Sequence, residues 1–289
     1  VKYIVEFFEY WFMFPVSILI AAIATASGIG GSVFFSPIFI IILGIHPFTA
    51  IGAAIITEVF GFGSGMYGYI RARLVDYALA KNLLYFAIPA GILGALISGF
   101  VPDLWLEITF AIGILFVGWQ IYLSYRKDKK RVLFGNKIIA EDFESKLTDR
   151  QGNIYLYTIC APKLARFFSL IGGMFYGMIS VGLAELQEYQ LIVKCRLPTR
   201  VAVATAIFLV AITALTASIV RVLFYVQSTD FESLELISQI VIFTAPGVLI
   251  GGQVGPLLQQ KIQPDLMKLF ISVLLVGVGG FMIINLMIF

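Results

Sequence analysis

SGIGGSVFFSP, residues 27–37, lies inside a stretch from Tyr10 to Thr57 that holds no Asp, Glu, Lys or Arg. An apolar run of that length belongs in a bilayer, yet a spanning helix gains nothing from three glycines in its middle and a proline shortly after them. A helix that must stop, turn and expose its backbone ends does need them. The composition around this segment agrees with a membrane setting. The chain of 289 residues is 60% hydrophobic and only 13% charged, about half the charged fraction of ordinary soluble domains. No soluble core hides that much apolar surface, so the chain reads as a polytopic membrane protein.

Outward from residues 27–37, apolar windows fall at 11–43, 49–70, 82–101, 104–125, 164–195, 199–226, 236–259 and 266–288. Six have the length of a single bilayer crossing, roughly 20 residues. The first and fifth are too long, and each carries a breaker near its middle: SGIGG at 27–31 and SVG at 180–182. The polar stretch 126–153 divides the two sets of windows. The halves it separates are alike. TAIGAAI (49–55) aligns with VAVATAI (201–207), and the same register puts Gly30 on Gly182 and Gly28 on Ser180. Pro89 and Gly94 then match Pro246 and Gly251, and PDL at 102–104 matches PDL at 264–266. An ordered set of matches argues for an internal duplication: a first repeat at 1–125, a connector at 126–163 and a second repeat at 164–289.

Net charge is +3, but its placement says more. Loops rich in Lys and Arg stay in the cytoplasm. That rule puts the connector inside, together with Arg71, Arg73 and Lys81, then Lys194, Arg196 and Arg200, then Lys261 and Lys268. Asp103 and Glu107 fall outside, as do Asp230, Glu232 and Glu235. The fifth window then begins and ends on the same side, so it enters and returns, with 180–182 as its tip. By the repeat, 11–43 does the same from the other face, with Gly28–Gly31 as its tip. The expected fold is all-α: two inverted repeats, each of one re-entrant hairpin and three transmembrane helices, as in many secondary transporters. The alternative is two kinked spanning helices in place of the hairpins.

Irregular backbone at membrane depth is tolerated only against protein or a water-filled cavity. The tips should therefore meet in the interior. Each returning half-helix starts with N–H groups that lack internal acceptors and with a partial positive charge, which suits an anion. Gly28, Gly30 and Gly31 let an anion approach the backbone, while Ser27, Ser32 and Ser180 add hydroxyls beside Gly182. The second tip also brings Glu185, Gln187 and Glu188, and Glu58 lies in the second window. Ionisable groups at this depth are functional candidates, for a coupling proton or cation. Tyr189 and Thr205 are candidate cavity-lining groups. Gly94, Gly118, Gly251 and Gly280 read as packing positions, and Arg221 as a residue near the outer end of its helix that snorkels to the surface. Cys160 and Cys195 have neither metal-site nor redox-motif spacing and read as bystanders; His46, the sole histidine, cannot form a metal cluster alone. No Ser–His–Asp set or P-loop suggests an enzyme or an ATP-driven pump. No metal, cofactor or nucleic-acid partner is expected; the partners are a small anion and the lipid bilayer, and association with further copies of the chain stays open. The opening residues VKYIVEFFEYW, with Glu6 and Glu9, lack the basic start of a cleavable signal.

These residues resemble the sulfite exporter TauE/SafE family, whose duplicated pattern has a glycine-rich segment, about a dozen apolar residues and a proline-led helix start. The first copy here is GIGGSVFFSPIFIIILGIHPFTAIGAAI; the second is SVGLAELQEYQLIVKCRLPTRVAVATAI. The resemblance covers all but the connector. It implies a multi-pass protein of the cytoplasmic membrane that moves sulfite or organosulfonates, with Gly28, Gly30 and Gly31 in the anion site. The second copy departs from the pattern, keeping only Gly182 of the glycine run and gaining two glutamates. The expected function is secondary transport of small sulfur-containing anions, with a coupling proton on Glu185 or Glu58. Its rivals are a cation- or proton-coupled transporter of another substrate using Glu58, Glu185 and Glu188, an anion channel, and a scaffold that recruits a partner through the connector.

Overall fold

A computed structural model describes residues 10–134, 145–158, 161–261 and 264–288. The first long window is broken into α1 (Met13–Ser27) and α2 (Ser32–Pro37), the latter running on into a π-helical turn, Ile38–Ile42. Three long helices follow: α3 (Pro47–Arg71), α4 (Tyr77–Ser98) and α5 (Asp103–Phe134). After a hairpin of β1 (Ser145–Thr148) and β2 (Ile154–Tyr157), the same order recurs. The fifth window is broken into α6 (Pro162–Ile179) and α7 (Leu183–Glu188), with a π-helical turn at Tyr189–Lys194. Then come α8 (Thr199–Gln227), α9 (Phe231–Lys261) and α10 (Pro264–Ile288). Among the described residues, α3, α4, α5, α8, α9 and α10 are long and apolar enough to cross a membrane.

Local chemistry sets several of these boundaries. Pro47 begins α3 in its first turn, where an N–H would find no acceptor within the helix. Asp76 caps α4 by accepting the Leu79 N–H at 3.0 Å. Pro37 cannot donate to the preceding turn, and the helix widens just after it, with Leu43 N–H donating to Ile38 C=O.

The two halves interleave. α1 packs along α9, and α6 along α4; α3 also meets α9, α8 also meets α4, α5 pairs with α10, and α3 with α8. α3 and α8 form the centre: two-thirds of each span is buried (67%), against 28–39% for the other four. Small residues permit the close pairs. Gly247, Gly251 and Gly255 form a stripe on α9, and side chains there would strike Ser17, the Ile18 carbonyl and Thr25 of α1. Gly173 and Gly177 of α6 lie against the backbone of Ala87 and Gly91, and Gly94 against Met174. Gly118 faces Val276, as a packing glycine should. Gly280 does not fit that expectation, since nothing lies within 4 Å of a Cβ built on it.

The connector is more than a solvated loop. Residues 126–134 continue α5 rather than starting a loop, and 145–157 form an antiparallel hairpin with Ser145 opposite Tyr157, turned at Gly152, whose φ is +86°. The hairpin docks on the α3–α4 loop: Arg150 N–H donates to the Ala72 carbonyl at 3.0 Å, and the Tyr157 hydroxyl to Asp76 Oδ2 at 2.7 Å. Burial, followed by the bond to Asp76, pushes the Tyr157 phenol above its ordinary range, so it remains a donor at neutral pH. The bystander reading of the cysteines also fails at Cys195, which is disulfide-bonded. The other cysteine of the sequence, Cys160, lies outside the described residues.

Candidate functional site

Both breaks are built from left-handed backbone. α1 ends where Gly28 takes φ +81° and donates its N–H to the Ala24 carbonyl at 2.8 Å. In the second half Ser180 has φ 60° and Gly182 φ 112°. At Gly28 the glycine is required twice over: an L-residue is strained there, and a Cβ would run into the carboxylate of Glu188, with Val203 Cγ1 at 3.1 Å. At Gly31, φ is −63° and a Cβ would stay 3.7 Å from its nearest neighbours. Gly28→Ala is therefore expected to cost about 1–2 kcal/mol, and Gly31→Ala less than about 0.5 kcal/mol. Thermal unfolding of the two variants in detergent checks this; equal melting temperatures would show that the turn is not constrained.

The tips meet. The Ser32 hydroxyl lies 2.8 Å from the Ser180 carbonyl oxygen, and the Ser36 and Ser180 hydroxyls are 3.3 Å apart. Glu185 bridges the breaks: Oε2 accepts the Gly182 N–H at 2.9 Å, capping its own helix, and Oε1 accepts the Gly30 N–H at 3.3 Å from the other half. Glu58 reaches the same place from the middle of α3. Its Oε1 accepts the Gly31 N–H at 2.6 Å, and its Oε2 lies 2.6 Å from both the Ser32 hydroxyl and the Tyr176 hydroxyl. Ser32, Glu58, Tyr176 and Ser180 are at most 1% exposed, and Glu185 is 5% exposed.

The expected residues divide accordingly. Gly30, Gly31, Ser32, Glu58, Ser180, Gly182 and Glu185 form one buried cluster, and Glu188 packs over Gly28 at its edge. The hydroxyl of Ser27 turns back to the Ile23 carbonyl at 2.8 Å and closes the end of α1. Gln187 is held away from the tips, donating to the Ala165 carbonyl at 3.1 Å and to Ser169 at 2.8 Å. Thr205 accepts the Asp76 N–H at 3.1 Å beneath the connector hairpin. Tyr189 is half-buried in the π-helical turn, and among the described hydrogen bonds none joins it to the tips.

Two residues acquire roles that the sequence did not suggest. Tyr176 stands four residues before Ser180 on the glycine-rich face of α6, and a lone tyrosine on such a face is the signal that could have found it. Arg221 does not snorkel: it is 0% exposed. Its guanidinium donates to the carbonyls of Gly177 at 3.1 Å, Met178 at 2.9 Å and Phe48 at 3.3 Å, and lies 5.0 Å from the centre of the Phe48 ring. The last carbonyls of a helix have no partner within it, and Arg221 supplies donors at the end of α6, just before the second tip.

Chemically, three backbone N–H groups, those of Gly30, Gly31 and Gly182, converge on anionic-type oxygens in a buried setting. Such donors act strongly on an oxyanion because little water competes with them. Here the oxygens belong to the chain's own carboxyl groups.

Comparison with known proteins agrees with this picture. A family model described as Sulfite exporter TauE/SafE matches residues 13–282, covering both breaks. The probable membrane transporter protein YunE of Bacillus subtilis (strain 168) is 22% identical over 271 residues, 91% of this chain and 93% of that protein. No solved structure matches. With the family pattern running through both broken helices and the long helices around them, this multi-pass membrane protein belongs to the sulfite exporter TauE/SafE family of membrane transporters.

Proposed function

We propose that the chain is a secondary transporter of small oxyanions, sulfite or organosulfonates, in the cell membrane, with one site where the two tips meet. The observation that carries this reading is the set of N–H groups from both halves, Gly30, Gly31 and Gly182, each already holding a carboxyl oxygen. A sulfur oxyanion presents the same kind of oxygen to the same donors. The matching element order and the exchange-symmetric packing of α1 on α9 and α6 on α4 support two inverted repeats that rock about this site and open it alternately. One of the two buried carboxyl groups, Glu58 or Glu185, carries the proton through which a gradient acts.

Saturable sulfite uptake into proteoliposomes is the expected result, accelerated by a pH gradient and inhibited by organosulfonates. Flux that follows cations and ignores anions would overturn the anion assignment. It would favour the one reading that competes on a specific observation, a cation- or proton-coupled carrier using the buried Glu58, Glu185 and adjacent Glu188 directly.

The proposed orientation puts the connector 126–163 in the cytoplasm, because the basic loops lie on its side. Labelling of a cysteine introduced at Ser145 in intact cells tests this: protection from an impermeant reagent is expected, and ready labelling reverses the orientation.

A further inference from the structure

The hydrogen bonds around Glu58 do not balance unless the carboxyl group carries a proton. The Ser32 hydroxyl is 2.6 Å from Glu58 Oε2 and 2.8 Å from the Ser180 carbonyl oxygen. A hydroxyl owns one proton, and a carbonyl only accepts. The Tyr176 hydroxyl, also 2.6 Å from Oε2, donates its single proton there. With an ionised Glu58, Ser32 satisfies one of its two contacts and the other sets lone pair against lone pair in a site closed to water. A proton on Oε2 resolves the cluster. Glu58 then donates to Ser32, Ser32 to the Ser180 carbonyl, Tyr176 to the remaining lone pair of Oε2, and the Gly31 N–H to Oε1.

Glu185 differs in kind. Its partners among the described hydrogen bonds are the N–H groups of Gly30 and Gly182, one on each oxygen, and none of those bonds offers an acceptor for a proton as Ser32 does at Glu58. An ionised Glu185 beside Glu58 also favours neutralising Glu58, because like charges at close range do not both persist. The other titratable groups that bear on Glu58 are Tyr176 of α6, described above, and Arg221 of α8, which acts on Tyr176. The first tip presents Gly31 and Ser32. From α9 comes Thr244, whose hydroxyl is 2.9 Å from that of Thr57, the neighbour of Glu58.

We infer that Glu58 is the proton-binding residue of this carrier and that the Ser32 hydroxyl reports its protonation to the junction between the tips. When Glu58 loses its proton to water on the open side of the site, Ser32 turns its own hydrogen toward the carboxylate. The Ser180 carbonyl then has no donor, and one of the bonds joining the two tips is broken, leaving the Gly30–Glu185 and Ser36–Ser180 contacts. Protonation thus tightens the junction and deprotonation loosens it, while Glu185 keeps its charge throughout. That this switch gates an anion rests on the transport reading above; the proton site itself does not.

The test is infrared difference spectroscopy of the purified full chain in detergent, titrated with pH and with no anion substrate added. The wild type is expected to show the C=O stretch of a protonated carboxyl group at neutral pH and to lose it at alkaline pH. Glu58→Gln is expected to lack that band, and Glu185→Gln to retain it. Ser32→Ala keeps the carboxyl group, and the band is expected to shift because the acid has lost its acceptor; this variant carries the test if Glu58→Gln does not fold. A band that survives Glu58→Gln, one that vanishes in Glu185→Gln, or one that ignores Ser32→Ala would overturn the inference, as would its absence from the wild type. A band that behaves as expected in a protein that moves no sulfite would leave the proton site standing and remove the anion reading alone.

Discussion

Replacing Glu185 with glutamine is expected to destabilise the folded chain by about 2–3 kcal/mol, the cost of one buried N–H left without an acceptor. The two oxygens of Glu185 each receive one backbone N–H, from Gly182 and from Gly30. Glutamine is nearly the same shape but offers one oxygen; its NH2 faces whichever N–H the oxygen does not serve. The break is either inside the second tip or between the tips, and each misplaces the site. Transport should fall by about tenfold or more, since each 1.4 kcal/mol lost at the site is a factor of ten. Glutamine at 58 should be milder, about 1 kcal/mol, because its NH2 can donate to Ser32 as the protonated acid does. Thermal unfolding in detergent and flux in proteoliposomes read both variants. If Glu185→Gln matches the wild type, the carboxylate does not stitch the tips together; if Glu58→Gln melts below Glu185→Gln, or its flux still follows a pH gradient although glutamine cannot release a proton, the proton assignment is reversed.

Arg221→Met is expected to cost about 4 kcal/mol. Hydrogen bonds from a charged donor are worth about 1.5–3 kcal/mol each, and this residue makes three to backbone carbonyls. Methionine fills much of the volume and donates nothing, so the Gly177 and Met178 carbonyls at the end of α6 are left buried without a partner. The strain falls on Ser180, immediately beyond. Arg221→Lys should recover only part of the loss, because an ammonium is a compact point charge and cannot span α6 and the start of α3 as the planar fork does. Folded yield by size-exclusion chromatography and the melting temperature separate the three proteins. A methionine variant as stable as the wild type would show that the clamp holds nothing.

Residues 27–31 were legible as a break because the signal is local. Glycine favours left-handed backbone wherever it stands, and SGIGG has too few side chains to hold a helix in lipid. The long helices were legible for a similar reason, since hydropathy over about 20 residues is a property of the window itself. Glu185 was legible as an ionisable group at the second tip; that it caps α7, three residues after Gly182, was seen only in the structure. What the sequence could not determine was which way each polar side chain faces. Glu58 is 27 residues from Gly31, Tyr176 is 118 from Glu58, and Glu185 is 155 from Gly30. Arg221 shows the limit most plainly, because its position along α8 was right and its direction was wrong. A charged residue on a long apolar helix can face lipid, water or a neighbour, and only the helices packed against it decide. Thr205 and Gln187 were drawn away from the tips in the same manner, by Asp76 and Ser169. By itself the sequence determined that the chain lies in a membrane and where its helices stop, since those follow from backbone freedom and the transfer of side chains out of water. The tertiary structure alone decided that two carboxyl groups, a tyrosine and an arginine meet at those stops, because that depends on the rotation of each helix against its partners.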